Sequence, residues 1–134
     1  MNIILTGLRG SGKSKIGKIL SGKLEWEFLD LDKEIEKAEG MTIPEIYKEH
    51  GWEYFREKEK ATVARLGNIE NTVISLGGGT IVDPENQKIL KELGTIVYLE
   101  RLQRIATNIY KNQKKIILHY RSCLCIPAEI YRLR

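Results

Sequence analysis

With 134 residues, 42% of them hydrophobic, the chain is long enough for one domain with a buried core. Its apolar runs fall short of the ~20 residues that a membrane span needs, and no signal-peptide pattern appears, so a cytoplasmic protein is expected. The net charge of +4 arises from residues 100–134, which carry 8 basic and 2 acidic side chains, whereas residues 1–99 carry 14 and 16. This distribution argues against a nucleic-acid binder with a basic face. Two interpretations of the basic residues 100–134 stay open, a segment that closes over phosphates and a solvated tail.

Strand and helix patterns alternate along the chain, which predicts an α/β fold with a parallel sheet flanked by helices. Strands are expected at 2–6, 26–31, 72–76 and 95–99. Two helices are expected at 14–24 and from 33 to a break at Gly40. A third is expected to begin at a capping box formed by Thr42 and Glu45 and to run to about 66, with an interruption at Gly51. A fourth is expected from Asp83-Pro84 to Gly94. The whole chain is interpreted as a single domain, and residues 113–134 receive no predicted secondary structure.

The segment between the first strand and the first helix reads Gly7-Leu8-Arg9-Gly10-Ser11-Gly12-Lys13-Ser14. This is the complete P-loop pattern, in which glycines let backbone N–H groups face phosphates at a helix N-terminus. Lysine and serine at its end suit the β- and γ-phosphates and a Mg²⁺ ion. The predicted nucleotide-binding residues of this segment are Gly10, Ser11, Gly12, Lys13, Ser14 and Lys15.

An acidic pair, Asp30 and Asp32, follows the second predicted strand. Ligands gather at the carboxyl end of parallel strands, so one carboxylate is expected to support Mg²⁺ and the other to accept a hydrogen bond from a substrate hydroxyl. The alternative is an acidic helix N-terminus without a ligand.

Two further motifs suit a small carboxylated substrate. Arg56 and Glu59 share a helix face, and a guanidinium held by a carboxylate can bind a substrate carboxylate in bidentate fashion. Taken alone, however, the pair is more typical of a surface ion pair. Gly77-Gly78-Gly79 follows the third strand and allows a ligand close to the backbone, unless it is only a flexible turn.

Together these motifs resemble the shikimate kinase family. The ordered set covers about residues 1–100 and ends with Val97-Tyr98-Leu99-Glu100. The resemblance implies a nucleoside-monophosphate-kinase-like fold and transfer of the ATP γ-phosphoryl group to the 3-hydroxyl of shikimate, a step of aromatic amino-acid biosynthesis. It also implies Mg²⁺ as cofactor, ATP and shikimate as partners, and we expect a monomer.

The same resemblance implies roles for individual residues. Ser14 and Asp30 would hold Mg²⁺, and Lys13, Asp32 and Arg56 would be catalytic. Asp32 would also contact the substrate hydroxyls and Arg56 the carboxylate. The implied substrate-binding set is Asp32, Arg56, Gly77, Gly78, Gly79 and Arg121.

The C-terminal part departs from the family pattern. Where the family has an Arg-Pro-Leu-Leu lid segment, the nearest match begins at Lys115, which is expected to bind the nucleotide by its charge but lacks a planar fork. Arg121 is interpreted as a relic of a second substrate arginine. A final strand and helix are expected to be missing, and residues 119–134 to be a divergent or aberrant end.

Two alternatives therefore stay open, a nucleotide-binding remnant without catalysis and a gluconate-type kinase. Cys123 and Cys125 are interpreted as reduced thiols without a role. His50 and His119 are expected at the surface, and Trp26 and Trp52 in core or hinge packing.

Overall fold

A computed structural model describes residues 1–99, and the predictions for Lys115, Arg121 and the rest of 100–134 lie outside the described residues. The four strands are β1 Ile3–Thr6, β2 Glu27–Asp30, β3 Thr72–Ser75 and β4 Thr95–Tyr98. The four α-helices are α1 Lys13–Leu24, α2 Leu31–Glu39, α3 Ile43–Ala64 and α4 Pro84–Leu93. Short 3₁₀ turns occupy Arg65–Asn68 and Thr80–Val82.

The strands form one parallel sheet in the order β2-β3-β1-β4, which confirms the predicted α/β architecture. Ile4 of β1 lies opposite Ile74 of β3 and Ile96 of β4. Because all strands run in the same direction, their carboxyl ends lie at one edge of the sheet, where the loops that follow them meet. Among residues 1–99, no helix is both long and apolar enough to cross a membrane.

Both faces of the sheet are covered by helices. Successive residues of a strand point to opposite faces, so the apolar side chains of the central strands need cover on both. Ile4 and Ile74 are fully buried in a cluster that includes residues of α2, α3 and α4. Leu5 and Val73 point to the other face, where Ile16 and Leu20 of α1 cover them. The central strands are therefore buried on both sides and hold the loops at their carboxyl ends in place.

The second strand is shorter than predicted. Pairing with β3 ends at Asp30, which lies opposite Ser75, and Leu31 is the first residue of α2 rather than the last of β2. The side chain of Leu31 is fully buried, so the apolar pattern that extended the predicted strand belongs to helix packing. As a consequence Asp30 ends the strand, while Asp32 lies in the first turn of the helix.

Helix α3 bends at Gly51, where φ is 83° and ψ is 179°. The predicted interruption is thus present as a kink between the two helical parts of α3, and glycine adopts this left-handed φ without a steric penalty. The capping box is present, since the N–H of Thr42 donates to Glu45 Oε2 at 2.7 Å. Phe55, four residues after the kink, is buried.

Trp52 is an exception to the predicted core. Its relative exposure is 57%, and it directly follows the kink at Gly51. The ring stacks on Tyr47, with 5.3 Å between ring centroids, and the guanidinium carbon of Arg56 lies 4.0 Å from its centroid. The prediction of core packing for Trp52 is therefore wrong, whereas its position directly after the Gly51 kink agrees with the alternative of hinge packing, and the side chain lies beside a candidate functional residue.

Candidate active site

The P-loop connects β1 to α1 at the carboxyl edge of the sheet. Gly12, with φ of 90°, lies immediately before the first helical residue, Lys13. The loop bends at Gly7, where φ is 147° and a Cβ atom would collide with the carbonyl oxygen of Leu99. Lys13 Nζ donates to the carbonyl oxygens of Gly7 at 2.9 Å and Leu8 at 3.0 Å, so the ammonium group is held over the loop.

Ser14 and Asp30 meet beside this loop. The Ser14 hydroxyl donates to Asp30 Oδ2 at 2.6 Å, which places two oxygen ligands together at the start of α1 and the end of β2. Within residues 1–99, no group of three or more His, Cys, Asp or Glu side chains could hold a metal ion. Mg²⁺ commonly takes one or two protein oxygens and completes its shell with phosphate and water, so this pair fits such an ion.

Asp32 lies in a crowded acidic environment. Burial raises the pKa of its carboxyl group, and the nearby charges of Asp30 and Glu59 raise it further, while Lys13 opposes them. Burial also lowers the pKa of Lys13, against the attraction of Asp32 and Asp30. Electrostatics therefore couples the lysine of the phosphate loop to the carboxylate predicted to contact substrate.

Arg56 and Glu59 form an ion pair, but not the surface pair that the charged sequence suggested. Glu59 is 1% exposed and Arg56 Nη1 donates to its Oε2 atom. Its other oxygen, Oε1, accepts a hydrogen bond of 2.5 Å from Thr80 Oγ1. The buried carboxylate thus fixes one edge of the guanidinium, while Trp52 lies against its face.

Each glycine of the triplet has a different neighbour. A Cβ on Gly77 would lie 2.7 Å from Asp32 Oδ1, and one on Gly79 would collide with the guanidinium nitrogens of Arg56. A Cβ on Gly78 would meet only the carbonyl oxygen of Gly7, at 3.9 Å. The triplet therefore packs between Asp32, Arg56 and the P-loop, and a side chain at its first or third position would have to displace Asp32 or Arg56.

The structure thus gathers most of the predicted site residues at one edge of the sheet. Lys15 is exposed on α1 and makes no contact that assigns it a role. Thr80 was missed by the sequence analysis, because its partner Glu59 lies 21 positions earlier. The only sequence signal was a threonine directly after the glycine triplet.

A family model described as shikimate kinase matches residues 9–124. The chain belongs to the shikimate kinase family. The resemblance predicted from residues 1–100 is confirmed, and the match extends beyond them.

Individual members of the shikimate kinase family support this assignment. The shikimate kinase of Caldicellulosiruptor bescii is 49% identical over 98 residues, which are 73% of this chain and 57% of that protein. A solved shikimate kinase from Acinetobacter baumannii, in complex with shikimate, superimposes with a TM-score of 0.70 at 40% identity over 72% of this chain and 54% of that one. The Aquifex aeolicus enzyme gives a TM-score of 0.72 at 40% identity, covering 76% and 61%. The chain therefore spans less than two thirds of the length of these relatives.

Proposed function

We propose that this protein transfers the γ-phosphoryl group of ATP to the 3-hydroxyl of shikimate. The observation that carries the proposal is the meeting of a P-loop with Asp32, Arg56 and the glycine triplet at one edge of the sheet. The relatives that match over this region are named shikimate kinases, and one was solved with shikimate bound.

On the nucleotide side, the loop residues and Lys13 would bind the phosphates of ATP. Backbone N–H groups at the N-terminus of α1 favour negative charge, and the ammonium group of Lys13 adds a mobile donor. Ser14 and Asp30 would hold Mg²⁺, which offsets phosphate charge when bound.

On the acceptor side, Arg56 would bind the shikimate carboxylate through the donor edge that Glu59 leaves open. Asp32 would accept a hydrogen bond from the attacking hydroxyl and hold it in line with the phosphoryl group. Gly78 would let the ring approach the backbone. Since phosphoryl transfer depends mainly on positioning and charge, these residues would supply what the described part of the chain contributes to the reaction.

The gluconate-type alternative is not favoured, because Arg56 and the triplet suit a carboxylated ring and the matched relatives are named shikimate kinases. We propose a cytoplasmic monomer, since one chain supplies the residues named above and the reaction requires ATP. Residues 100–134, outside the described part, would provide the lid that excludes water.

A coupled assay of ADP formation tests the proposed activity. The full chain should form ADP only when shikimate is added. Lys13→Ala should lower that rate by about 10²- to 10³-fold, the usual loss when one transition-state donor is removed. Lys23→Ala is the matched control, because Lys23 is exposed at the other end of the same helix.

A folded parent chain without shikimate-dependent ADP would contradict the proposal. Binding of ATP in that case, measured by calorimetry, would identify a nucleotide-binding remnant instead.

A further inference from the structure

Glu59 is a buried charge to which the proposed function assigns no contact with either substrate. A carboxylate at 1% exposure is costly unless hydrogen-bond donors satisfy its oxygens. Arg56 supplies a donor to Oε2 and Thr80 supplies one to Oε1. The orientation of this carboxylate therefore depends on two side chains, one of which is the proposed ligand of shikimate.

Thr80 is itself fixed by the fold. It begins the 3₁₀ turn after the glycine triplet, and its side chain is fully buried. Its carbonyl oxygen accepts a hydrogen bond of 3.1 Å from Asn86 Nδ2, and Asn86 is 1% exposed in the first turn of α4. The hydroxyl group thus approaches Glu59 from a backbone already anchored to another helix.

Loss of this hydroxyl would leave Glu59 Oε1 without its described donor. A carboxylate held only by Arg56 can rotate with the guanidinium, so the pair would sample more orientations. A binding group that must be immobilised when its ligand arrives binds more weakly than one already in place.

We propose that Thr80 is a positioning residue that fixes the guanidinium of Arg56 through Glu59. The proposal rests on the proposed function, in which Arg56 takes the carboxylate of the acceptor. It predicts a selective effect, because Thr80 lies on the acceptor side and the ATP phosphates lie at the P-loop.

Calorimetry on the full chain tests the assignment with shikimate and ATP as separate titrants. Thr80→Val, nearly isosteric but without the hydroxyl, should raise the Kd for shikimate about 10-fold, as expected for a lost hydrogen bond to a charged group. The Kd for ATP should change less than about 2-fold, and Thr80→Ser should restore shikimate binding because it keeps the donor. Thr62→Val is the control, since the Thr62 hydroxyl lies on the same helix as Glu59 but donates to the Lys58 carbonyl at 2.8 Å.

A second measurement does not depend on shikimate. The Nε–H NMR resonance of Arg56, identified by its loss in Arg56→Lys, should shift or broaden in Thr80→Val and not in Thr62→Val. A parent chain that fails to bind shikimate would overturn the proposed function, and the Arg56 resonance would then decide the role of Thr80.

Three results would overturn the assignment itself. The first is a Thr80→Val variant that binds shikimate like the parent and leaves the Arg56 resonance unchanged. The second is equal weakening of ATP and shikimate binding, which would indicate a general structural role. The third is loss of the fold in both Thr80→Val and Thr80→Ala.

Discussion

Asp32 is the residue at which burial and charge compete most clearly. Its carboxyl group lies within the electrostatic influence of Asp30 and Glu59 as well as of Lys13, and it lies close to Gly77. The carboxylate is thereby kept in a site that favours its protonated form. To accept a hydrogen bond from a substrate hydroxyl, Asp32 must be ionised. The ionised form is disfavoured in this site, so the placement of Asp32 lowers the free energy of unfolding while it serves the proposed chemistry.

The raised pKa of Asp32 sets the sign of a pH effect. The folded state binds this proton more tightly than the unfolded state, so its contribution to stability falls as pH rises through the folded pKa. Asp32→Asn should therefore raise the urea midpoint near pH 7, and this gain should shrink toward about pH 3, below the ordinary carboxyl range. Unfolding curves of parent and variant across that interval measure the difference.

Asp83→Asn provides a control of opposite sign. The Lys60 ammonium beside Asp83 lowers the pKa of that carboxyl group, so its contribution is present at neutral pH and is lost as pH falls. The asparagine keeps the acceptor that caps α4 through the N–H groups of Glu85 and Asn86. If both variants moved stability in the same direction near pH 7, the electrostatic description of Asp32 would be wrong.

Single residues were predictable where a local pattern defines them. The P-loop, Asp30 and the glycine triplet are contiguous or tied to strand ends, so the sequence placed them correctly, while the resemblance supplied the roles expected of Asp30 and the triplet. The burial of Glu59 was not predictable, because a densely charged helix looks solvated until its packing partners are known. For Trp52 the pattern allowed core or hinge packing, and its exposure beside the Gly51 kink excludes the core.

At the level of elements, α1 approaches the sheet unusually closely at Gly17. A Cβ at this position would collide with Phe28 Cε2 and would lie 3.3 Å from Leu5 Cδ1. Since α1 begins at the P-loop, this contact helps to set the position of the helix N-terminus to which the proposed function assigns the phosphates. The helical periodicity predicted α1, but it carried no information on how near the helix lies to the strands.

Gly17→Ala should therefore lower the free energy of unfolding by about 1–3 kcal/mol, the typical cost of overpacking. Gly22→Ala on the same helix is the control, because nothing lies within 4 Å of its Cβ position. That change should stabilise the protein by about 0.5–1 kcal/mol through helix propensity. Urea unfolding of both variants distinguishes the sites, and equal effects would show that α1 does not pack against Phe28 as described.

Element boundaries were less predictable than the elements themselves. The apolar run through Leu31 looks like strand, yet pairing ends at Asp30 and the same residue packs as helix. Leu31 is buried in either case, so hydrophobicity alone does not distinguish the two. The shift matters because it separates Asp30 and Asp32 onto a strand end and a helix turn, which direct their side chains differently.

For the molecule as a whole, alternating patterns predicted a parallel α/β sheet but not the order β2-β3-β1-β4. The strand order depends on which strands pair with each other. Several orders are compatible with the same apolar runs. This order places β3 between β1 and β2, so the glycine triplet lies between the P-loop and the acidic pair. The net positive charge of the chain comes from residues 100–134, and the closing of a lid over the phosphates stays a prediction.

The central claim is that this edge of the sheet transfers a phosphoryl group to shikimate rather than only binding or hydrolysing ATP. The most direct measurement is ³¹P NMR of the full chain with ATP, Mg²⁺ and shikimate. A phosphomonoester resonance should grow as the γ-phosphate resonance falls, and it should require shikimate. Release of inorganic phosphate alone, or an unchanged ATP spectrum, would contradict the claim.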